Sequence, residues 1–211
     1  EELMVSRDLL INKYHEGRLH FNILSSKKSL EHIEVAKITQ NNLSCGTSIF
    51  HLLFDDEIIN QFDNRFKILP PFRTKKDRNA LLEGVKNGVI DVITSNHQPH
   101  EDEINEVEFS ESPFGIIGTQ VCFPLAITHL KDYLGLEKII QCMSINPRTI
   151  LQCEVPIIEI GHKVDVISGP PYPDLISGIE LIKLPGLNLF STFNFRERCK
   201  LFFNKKNLLK Y

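Results

Sequence analysis

The sequence lacks several patterns that define common classes of protein. It contains no apolar run near the roughly 18 residues that cross a bilayer. A net charge of -3 leaves no broad basic surface for nucleic acid or for anionic lipid. The first ten residues have neither a basic start nor a continuous apolar stretch, so we expect no signal peptide. These absences predict a cytoplasmic protein that binds neither membranes nor nucleic acid.

Familiar catalytic and metal-binding signatures are also missing. The five cysteines are odd in number, widely spaced and never arranged as a CxxC pair. This pattern favours reduced thiols over a disulfide framework or a zinc ribbon. The sequence contains no Ser-His-Asp or Cys-His set, no phosphate-binding glycine loop and no HExxH motif. Function therefore has to be sought in another kind of site.

What the sequence does contain is an alternation of strands and helices. With 211 residues, of which 42% are hydrophobic, the chain is long enough for one sizeable core. Apolar periodicity predicts helices at 2–15, from Ser29 onward, at 75–87, at 120–134 and at 137–143, and strands at 18–24, 43–50, 65–69 and 89–94. Strands that alternate with helices of this length indicate βα units and a parallel sheet, and hence an α/β fold.

The clearest of these units ends in a group of polar side chains. Thr74 and Gly88 are the predicted caps of the 75–87 helix, with Asp77 in its first turn. The strand that follows leads directly into Asn96 and a histidine-rich loop. In α/β barrels, active sites lie just beyond the C-terminal ends of parallel strands. We therefore expect the functional region here.

Several motifs, taken together, resemble a known family. They are GRLHFNILSS at 17–26, HLLFDDE at 51–57, FKILPPFRTKKDRNALLEGVKNGVIDVITSNHQPH at 66–100, SPFGIIGTQVCFPLAIT at 112–128 and NPRTIL at 146–151. Their order, spacing and content resemble dihydroorotases of the amidohydrolase superfamily, of the longer type that is related to hydantoinases. The resemblance extends from residue 1 to about residue 167.

The resemblance implies a (β/α)8 barrel of the TIM type, with zinc at the C-terminal ends of its strands and a small β domain beside it. On this interpretation, residues 1–155 are the C-terminal half of the barrel. Residues 156–211 are a small β appendage domain that a missing N-terminal segment would complete. Half a barrel leaves open sheet edges, so we expect the natural chain to be longer.

The positions at which the family holds its metal and its catalytic acid are substituted in this sequence. The resemblance places two metal-binding histidines at Ile23 and Phe50, the catalytic aspartate at Asn96, and a substrate-binding asparagine at Leu69. Aliphatic and phenyl side chains offer no lone pair to zinc, and a neutral amide is a weak ligand that cannot shuttle a proton. If this sequence aligns with the family's motif one residue further along, His51 takes the place of the metal-binding histidine, and this alternative stays open.

Some features of the family's pocket are retained. His100 matches a histidine that contacts substrate, and the PFGIIG turn, with Pro113 and Gly115, matches a turn that lines the pocket through its backbone. Simpler interpretations exist for the polar residues: His100 as an ordinary loop residue, His51 as a half-buried histidine with satisfied hydrogen bonds, and Arg73 as a loop residue bonded to carbonyls or to Asp77.

Two functions remain in view. The first is a dihydroorotase-like protein of pyrimidine biosynthesis with a degenerate zinc site, no cofactor and little or no catalysis. Such a protein would act as a homo-oligomer or as a structural partner of aspartate carbamoyltransferase or of an active dihydroorotase. The alternative is an active cyclic amidohydrolase that interconverts N-carbamoyl-aspartate and dihydroorotate, with zinc bound by ligands from the missing N-terminal half.

Overall fold

The structure is a computed structural model that describes residues 1–15, 17–101 and 107–155. The predicted β appendage at 156–211 lies outside the described residues. Within the described part of the chain, no helix has the length and apolar character needed to span a membrane.

In the described ranges, three short parallel strands form the sheet. They are β1 (Leu19–Phe21), β2 (Leu43–Ser48) and β3 (Val92–Thr94), and they lie in the order β1-β2-β3. Phe21 pairs with Cys45 in one ladder, and Ser48 pairs with Thr94 in the other. The predicted parallel sheet is confirmed, although β1 and β3 are shorter than predicted.

Seven α-helices accompany these strands: α1 (Glu2–His15), α2 (Lys27–Lys37), α3 (Ile49–Leu53), α4 (Lys75–Asn87), α5 (Cys122–Leu134), α6 (Leu136–Ile140) and α7 (Asn146–Ile150) among the described residues. Two 3-10 turns, Asp56–Gln61 and Asn64–Phe66, follow α3, and a π-helical segment, Gln141–Ile145, joins α6 to α7. The α/β fold class is confirmed.

Helix α4 has the predicted boundaries because its end signals are satisfied. The Thr74 hydroxyl accepts a hydrogen bond from the Asp77 backbone N–H at 3.4 Å, and the Asp77 carboxylate accepts one from the Thr74 backbone N–H at 3.2 Å. This reciprocal pair is a capping box. At the other end, Gly88 ends the helix with a φ of +81°, a conformation that glycine adopts without steric cost.

Strand β2 and helix α2 differ from their predicted boundaries for a shared reason, which is serine capping. The prediction extended β2 to Phe50, but the strand ends at Ser48, whose hydroxyl accepts from the His51 backbone N–H at 3.4 Å and starts α3. Helix α2 begins at Lys27 because the Ser26 hydroxyl accepts from the Ser29 backbone N–H at 3.1 Å. Serine is a favoured N-cap residue in both settings.

Two further predictions were wrong in detail. Residues 64–66 form a 3-10 turn, where an extended segment was predicted for 65–69. The helix predicted to end at 143 continues through the π segment into α7, which contains Pro147 near its start. Asn146 fixes this junction to the sheet, because its Nδ2 donates to the Asp91 carbonyl at 2.8 Å.

The helices form a layer that follows the order of the strands. Helix α1 packs on α2, and α2 packs on both α4 and β2. The largest fully buried side chains include Leu24, Ile33, Ile49, Phe50, Leu81, Ile90 and Leu125. Strand β2 and the segment that follows β1 approach closely at Gly46, where a Cβ atom would lie 2.7 Å from the Asn22 carbonyl oxygen.

Candidate functional site

The candidate site lies where the three strands end. Chain segments that leave the C-terminal ends of β1, β2 and β3 carry Ile23, Phe50 and Asn96, respectively. Because the strands are parallel, these ends meet at one edge of the sheet. The structure therefore places the sequence-predicted region at the expected end of the strands.

Phe50 fills the space beneath the PFGIIG turn. Its side chain is fully buried, and a Cβ atom on Gly118 would lie 3.2 Å from its Cε2 atom. The same Cβ atom would overlap the carbonyl oxygen of Ser95. The turn is thus packed directly on the phenyl ring and on the end of β3, so position 50 is part of the hydrophobic core.

His51 is a buried histidine with both ring nitrogens engaged. Nε2 lies 3.0 Å from the Pro70 carbonyl, which only accepts, so Nε2 carries the proton and donates. Nδ1 therefore accepts from the Ser48 hydroxyl at 2.8 Å. Burial lowers the pKa of His51 from 6.5 to about 4. The ring is more deeply buried than predicted, and in this arrangement neither nitrogen has a lone pair available to a metal.

Asn96 adopts a left-handed backbone conformation, with a φ of +44°. Asparagine and aspartate tolerate this region better than most residues with a Cβ atom. Its side-chain Nδ2 donates to the Leu69 carbonyl at 3.5 Å, and its backbone N–H donates to the Thr94 hydroxyl at 3.4 Å. The amide therefore links the end of β3 to the segment before Pro70.

His97 and His100 hold the PFGIIG turn from one side. Nδ1 of His97 accepts the backbone N–H of Gly118 at 3.1 Å, and burial lowers the pKa of this histidine. Nε2 of His100 donates to the Phe114 carbonyl at 2.8 Å. Position 115 has to be glycine, because a Cβ atom there would overlap the His100 ring. Of the predicted substrate-binding residues, His100 and Gly115 are thus in direct contact, and Pro113 lies exposed beside them.

Lys67 holds the same turn from the other side. Its ammonium group donates to the carbonyls of Phe109, Ser110 and Ser112 at 2.6, 3.2 and 2.5 Å. It also lies 5.2 and 5.1 Å from the ring centroids of Phe109 and Phe114, within cation–π range. The Lys67 carbonyl accepts the Gly115 N–H at 2.8 Å. Sequence reasoning missed this residue, whose ammonium group bonds to carbonyls 42 to 45 positions away.

Charged groups at the start of α2 form a second cluster near the end of β1. The Glu1 carboxylate accepts from the backbone N–H groups of Ser25 and Ser26 at 3.0 and 3.1 Å. Burial opposes the charge on Glu1, but these bonds and the Ser25 hydroxyl outweigh it, so the Glu1 pKa is lowered. Arg73 donates from Nε to the Ser25 hydroxyl at 3.2 Å, rather than bonding to a carbonyl or to Asp77 as predicted.

The residues at the implied metal positions do not fit zinc. The side chains of Ile23 and Phe50 have no donor atom, and Asn96 offers a metal only a neutral amide oxygen. No group of three or more His, Cys, Asp or Glu side chains in the described ranges is placed to hold a metal ion. The donor set at these matched positions is therefore unsuited to zinc.

Solved structures identify the class of fold. The described structure is similar to an L-hydantoinase (dihydropyrimidinase) from Arthrobacter aurescens, with a TM-score of 0.67 and 22% identity, covering 72% of this chain and 35% of that one. It is also similar to the inactive dihydroorotase-like domain of a Chaetomium thermophilum CAD-like multifunctional protein, with a TM-score of 0.52, 18% identity and coverage of 70% and 40%. The solved structures that it resembles are TIM-barrel amidohydrolases, and the described residues share an α/β fold with them.

Sequence comparisons narrow the class. A dihydroorotase from Acetivibrio thermocellus is 33% identical over 168 residues, which are 79% of this chain and 39% of the relative. One from Carboxydothermus hydrogenoformans is 36% identical over 154 residues, covering 72% and 36%. A dihydroorotase-like protein from Pseudomonas aeruginosa is 31% identical over 179 residues, covering 84% and 42%. No protein-family model matches the sequence.

The chain belongs to the dihydroorotase-like amidohydrolases, as the motifs predicted. It spans about two fifths of the length of the curated relatives that it matches.

Proposed function

We propose that the chain is the C-terminal portion of a (β/α)8 barrel, in a dihydroorotase-like protein of pyrimidine biosynthesis whose zinc site is degenerate and which has little or no catalytic activity. The parallel βα units support the architecture, and the kinship with dihydroorotases supports the biological role. The proposal places the protein in the cytoplasm, without a cofactor.

The observation that carries the proposal is the burial of Phe50. The resemblance implies a metal-binding histidine at this position, where the structure has a phenyl ring with no solvent exposure, beneath Gly118. A phenyl group in a close-packed core leaves no room for an ion and supplies no donor. The substitution at Ile23, just after the neighbouring strand β1, removes a second donor.

Asn96 argues against the family's proton transfer as well. A metal-bound hydroxide mechanism needs a carboxylate that takes up and returns a proton as the ring amide is attacked or formed. The Asn96 amide is neutral and cannot act as that base. Its nitrogen is already bonded to Leu69. The chain thus lacks both the ligands and the base at the matched positions.

What remains suits a binding or structural role. The PFGIIG turn is held by Lys67, His97 and His100, so a well-defined surface persists at the strand ends. We propose that the protein works as a non-catalytic subunit, in a homo-oligomer or with aspartate carbamoyltransferase or an active dihydroorotase. The similarity to an inactive dihydroorotase-like domain of a multifunctional protein supports this role by analogy.

The alternative is an active cyclic amidohydrolase that interconverts N-carbamoyl-aspartate and dihydroorotate. The intact PFGIIG turn and His100, which match substrate-contacting features, favour it. In that case zinc would be held by ligands outside the matched positions of this chain.

Zinc content and dihydroorotate hydrolysis, measured on the same purified protein, separate the two functions. We expect zinc far below one equivalent and no turnover above the background rate. A matched sample of an active dihydroorotase, such as the Acetivibrio thermocellus relative, establishes that the assay detects turnover. Stoichiometric zinc together with turnover would overturn the non-catalytic proposal.

A further inference from the structure

Helices α2 and α4 both begin with a pair of lysines. Lys27 and Lys28 are the first two residues of α2, and Lys75 and Lys76 are the first two residues of α4. All four side chains are exposed. We call these four residues the lysine patch.

The lysine patch is a single surface because the two helices begin side by side. The Lys27 backbone N–H donates to the Asp77 carboxylate at 2.9 Å, and α2 packs on α4. Arg73, just before α4, adds a fifth cation, since its Nε donates to the hydroxyl of Ser25, just before α2, at 3.2 Å. Five positive charges are thus gathered at the starts of two neighbouring helices.

The start of a helix is an unfavourable place for a cation. The unpaired N–H groups there carry partial positive charge, so carboxylates stabilise this end and lysines oppose it. Two carboxylates lie nearby, but both are engaged by the helix starts themselves. Glu1 accepts from the backbone N–H groups of Ser25 and Ser26, and Asp77 accepts from those of Lys27 and Thr74. They offset the partial charges of the backbone and leave the lysines in place.

Ion pairs compensate only a small part of the charge on the lysine patch. Glu31 lies 3.6 Å from Lys27, and Glu2 lies 3.9 Å from Lys28, in exposed pairs that contribute little. The lysines at 75–76 form no ion pair with any residue that the structure describes. Residues that break a local stability rule are expected at functional positions. The lysine patch therefore has the character of a binding surface for negative charge.

A stretch of the same chain matches the lysine patch in charge. Residues 101–111 contain six acidic residues and no basic residue, and Glu101, Glu108 and Glu111 are exposed. We call residues 101–111 the acidic segment. It comes after the C-terminal end of β3, as α2 comes after the C-terminal end of β1. Because the strands are parallel, the lysine patch and the acidic segment both belong to the strand-end side of the molecule.

We propose that the lysine patch of one copy of the chain binds the acidic segment of a second copy, in a dimer whose two-fold axis lies on the strand-end side. A two-fold axis on this side makes the contact twice, once in each direction. Complementary charges fix the partner and the register of such an interface. The inference rests on the homo-oligomeric form of the proposed function and is independent of the loss of zinc.

A second copy fits the lysine patch better than a nucleic acid or an anionic membrane does. The whole chain has a net charge of -3, so an extended polyanion that reaches the patch is repelled by the rest of the surface. The acidic segment instead offers six carboxylates within eleven residues, close in number to the five cations that face it. The charges on the two surfaces therefore balance locally.

The oligomeric state of the purified protein, measured by sedimentation velocity over a range of protein and salt concentrations, tests the proposal. In dilute salt we expect a species with twice the 24.2 kDa mass of one chain. Its dissociation constant should rise at least about tenfold between roughly 0.05 and 0.5 M NaCl, because salt screens exposed charges. Protein that stays monomeric in dilute salt, or a dimer that salt does not weaken, would overturn the proposal.

Two charge reversals make the test specific. Lys75→Glu combined with Lys76→Glu reverses half of the lysine patch, and Glu108→Lys combined with Glu111→Lys reverses part of the acidic segment. Each double variant should weaken the dimer at least about tenfold, because two-fold symmetry reverses four charges in every dimer. Glutamate at the start of α4 favours the helix, so loss of the dimer in the first variant cannot be attributed to unfolding.

A mixture of the two double variants is the decisive sample. Each variant alone brings like charges together, whereas a heterodimer pairs the reversed patch with the reversed segment and the native segment with the native patch. The mixture should therefore associate at least about tenfold more tightly than either variant alone. A mixture that associates no better than its components would overturn the proposal.

The matched control is Lys13→Glu combined with Lys131→Glu, which makes the same change in net charge at exposed lysines on α1 and α5. This control should dimerise as the wild type does. A control that loses the dimer as fully as the patch variant would show that total charge, and not the lysine patch, governs association. That result would also overturn the proposal.

Other outcomes separate this proposal from the non-catalytic function. A wild-type monomer that binds inorganic phosphate or phosphatidylserine vesicles through the lysine patch would overturn the dimer, because the occupant would then be a free anion or a membrane. A zinc-free monomer without turnover would overturn the dimer alone. A charge-dependent dimer that holds zinc and hydrolyses dihydroorotate would sink the non-catalytic proposal and leave this interface intact.

Discussion

Gly118 lies so close to Ser95 that a Cβ atom at position 118 would overlap the Ser95 carbonyl oxygen. The obstacle is backbone, which cannot rotate aside as a side chain can. Gly118→Ala should therefore lower the free energy of unfolding by about 1–3 kcal/mol, as measured by urea denaturation.

Gly17→Ala is the control for that substitution. The nearest atom to a Cβ there is Asn12 Oδ1 at 3.5 Å, an ordinary van der Waals distance. The free energy of unfolding of Gly17→Ala should stay within about 0.5 kcal/mol of the wild-type value. Equal stability of the two variants would show that the 113–118 turn does not pack as described.

His51 makes the stability of the fold depend on pH. Its pKa is about 4 in the folded chain, against an ordinary value of 6.5. The unfolded chain therefore binds more protons between those values, and the free energy of unfolding should fall as the pH drops through that window. The slope from one such group is at most about 1.4 kcal/mol per pH unit.

His51→Gln should flatten this slope, since glutamine keeps a donor for the Pro70 carbonyl and does not titrate. His129→Gln, at an exposed position on α5, is the matched control. Burial also lowers the pKa values of His20 and His97, so part of the slope should remain. An unchanged slope in His51→Gln, measured by denaturation from pH 4 to 7, would contradict the buried neutral imidazole.

Lys67→Met should loosen the loop that Lys67 holds. The variant keeps an unbranched side chain one atom shorter and removes three charged hydrogen bonds to the carbonyls of Phe109, Ser110 and Ser112. Such bonds contribute about 1.5–3 kcal/mol each, so hydrogen exchange at 107–112 should accelerate by at least roughly tenfold.

Lys75→Met is the control, because Lys75 is exposed at the start of α4. Lys67→Arg should protect residues 107–112 from hydrogen exchange less well than the wild type does, because a planar guanidinium cannot direct its donors at three carbonyls as a compact ammonium does. Full protection in Lys67→Met would rule out the ammonium as the group that holds the loop.

Asn96 should tolerate only those substitutions that suit its backbone. With a φ of +44°, Asn96→Gly should keep or raise the stability, whereas Asn96→Val should cost roughly 1–2 kcal/mol. Thermal unfolding of the pair provides the measurement. A valine variant as stable as the glycine variant would mean that position 96 is not left-handed.

Some of this structure can be predicted from sequence because its signals are local. The boundaries of α4 follow from Thr74, Asp77 and Gly88, each of which acts within one turn of the helix end. The end of β2 is harder to predict from sequence, because the apolar run after Ser48 suits a strand as well as a helix. The choice depends on the Ser48 hydroxyl, which bonds to His51.

The site was predictable in location but not in its contacts. Strand ends can be found from hydrophobic pattern, and that was sufficient to select the region around Asn96. The Lys67 ammonium bonds to carbonyls 42 to 45 residues away, His97 bonds to Gly118 21 residues away, and the Asn96 side chain bonds to Leu69 27 residues away. Nothing in the local sequence specifies such contacts. The assignment of Ile23, Phe50 and Asn96 to lost ligand positions rests on the resemblance and remains a prediction.

The ring of carbonyl oxygens around Lys67 has a consequence for the conditions under which the turn stays ordered. Main-chain carbonyls that converge on one cation form the kind of shell that in other proteins binds a dissolved metal ion. Here the cation is covalently attached to the chain at Lys67. Dilution or chelators cannot extract it, so the loop carries its own cation. Chemical neutralisation of the Lys67 amine, for example by acetylation, is the direct way to remove this positive charge.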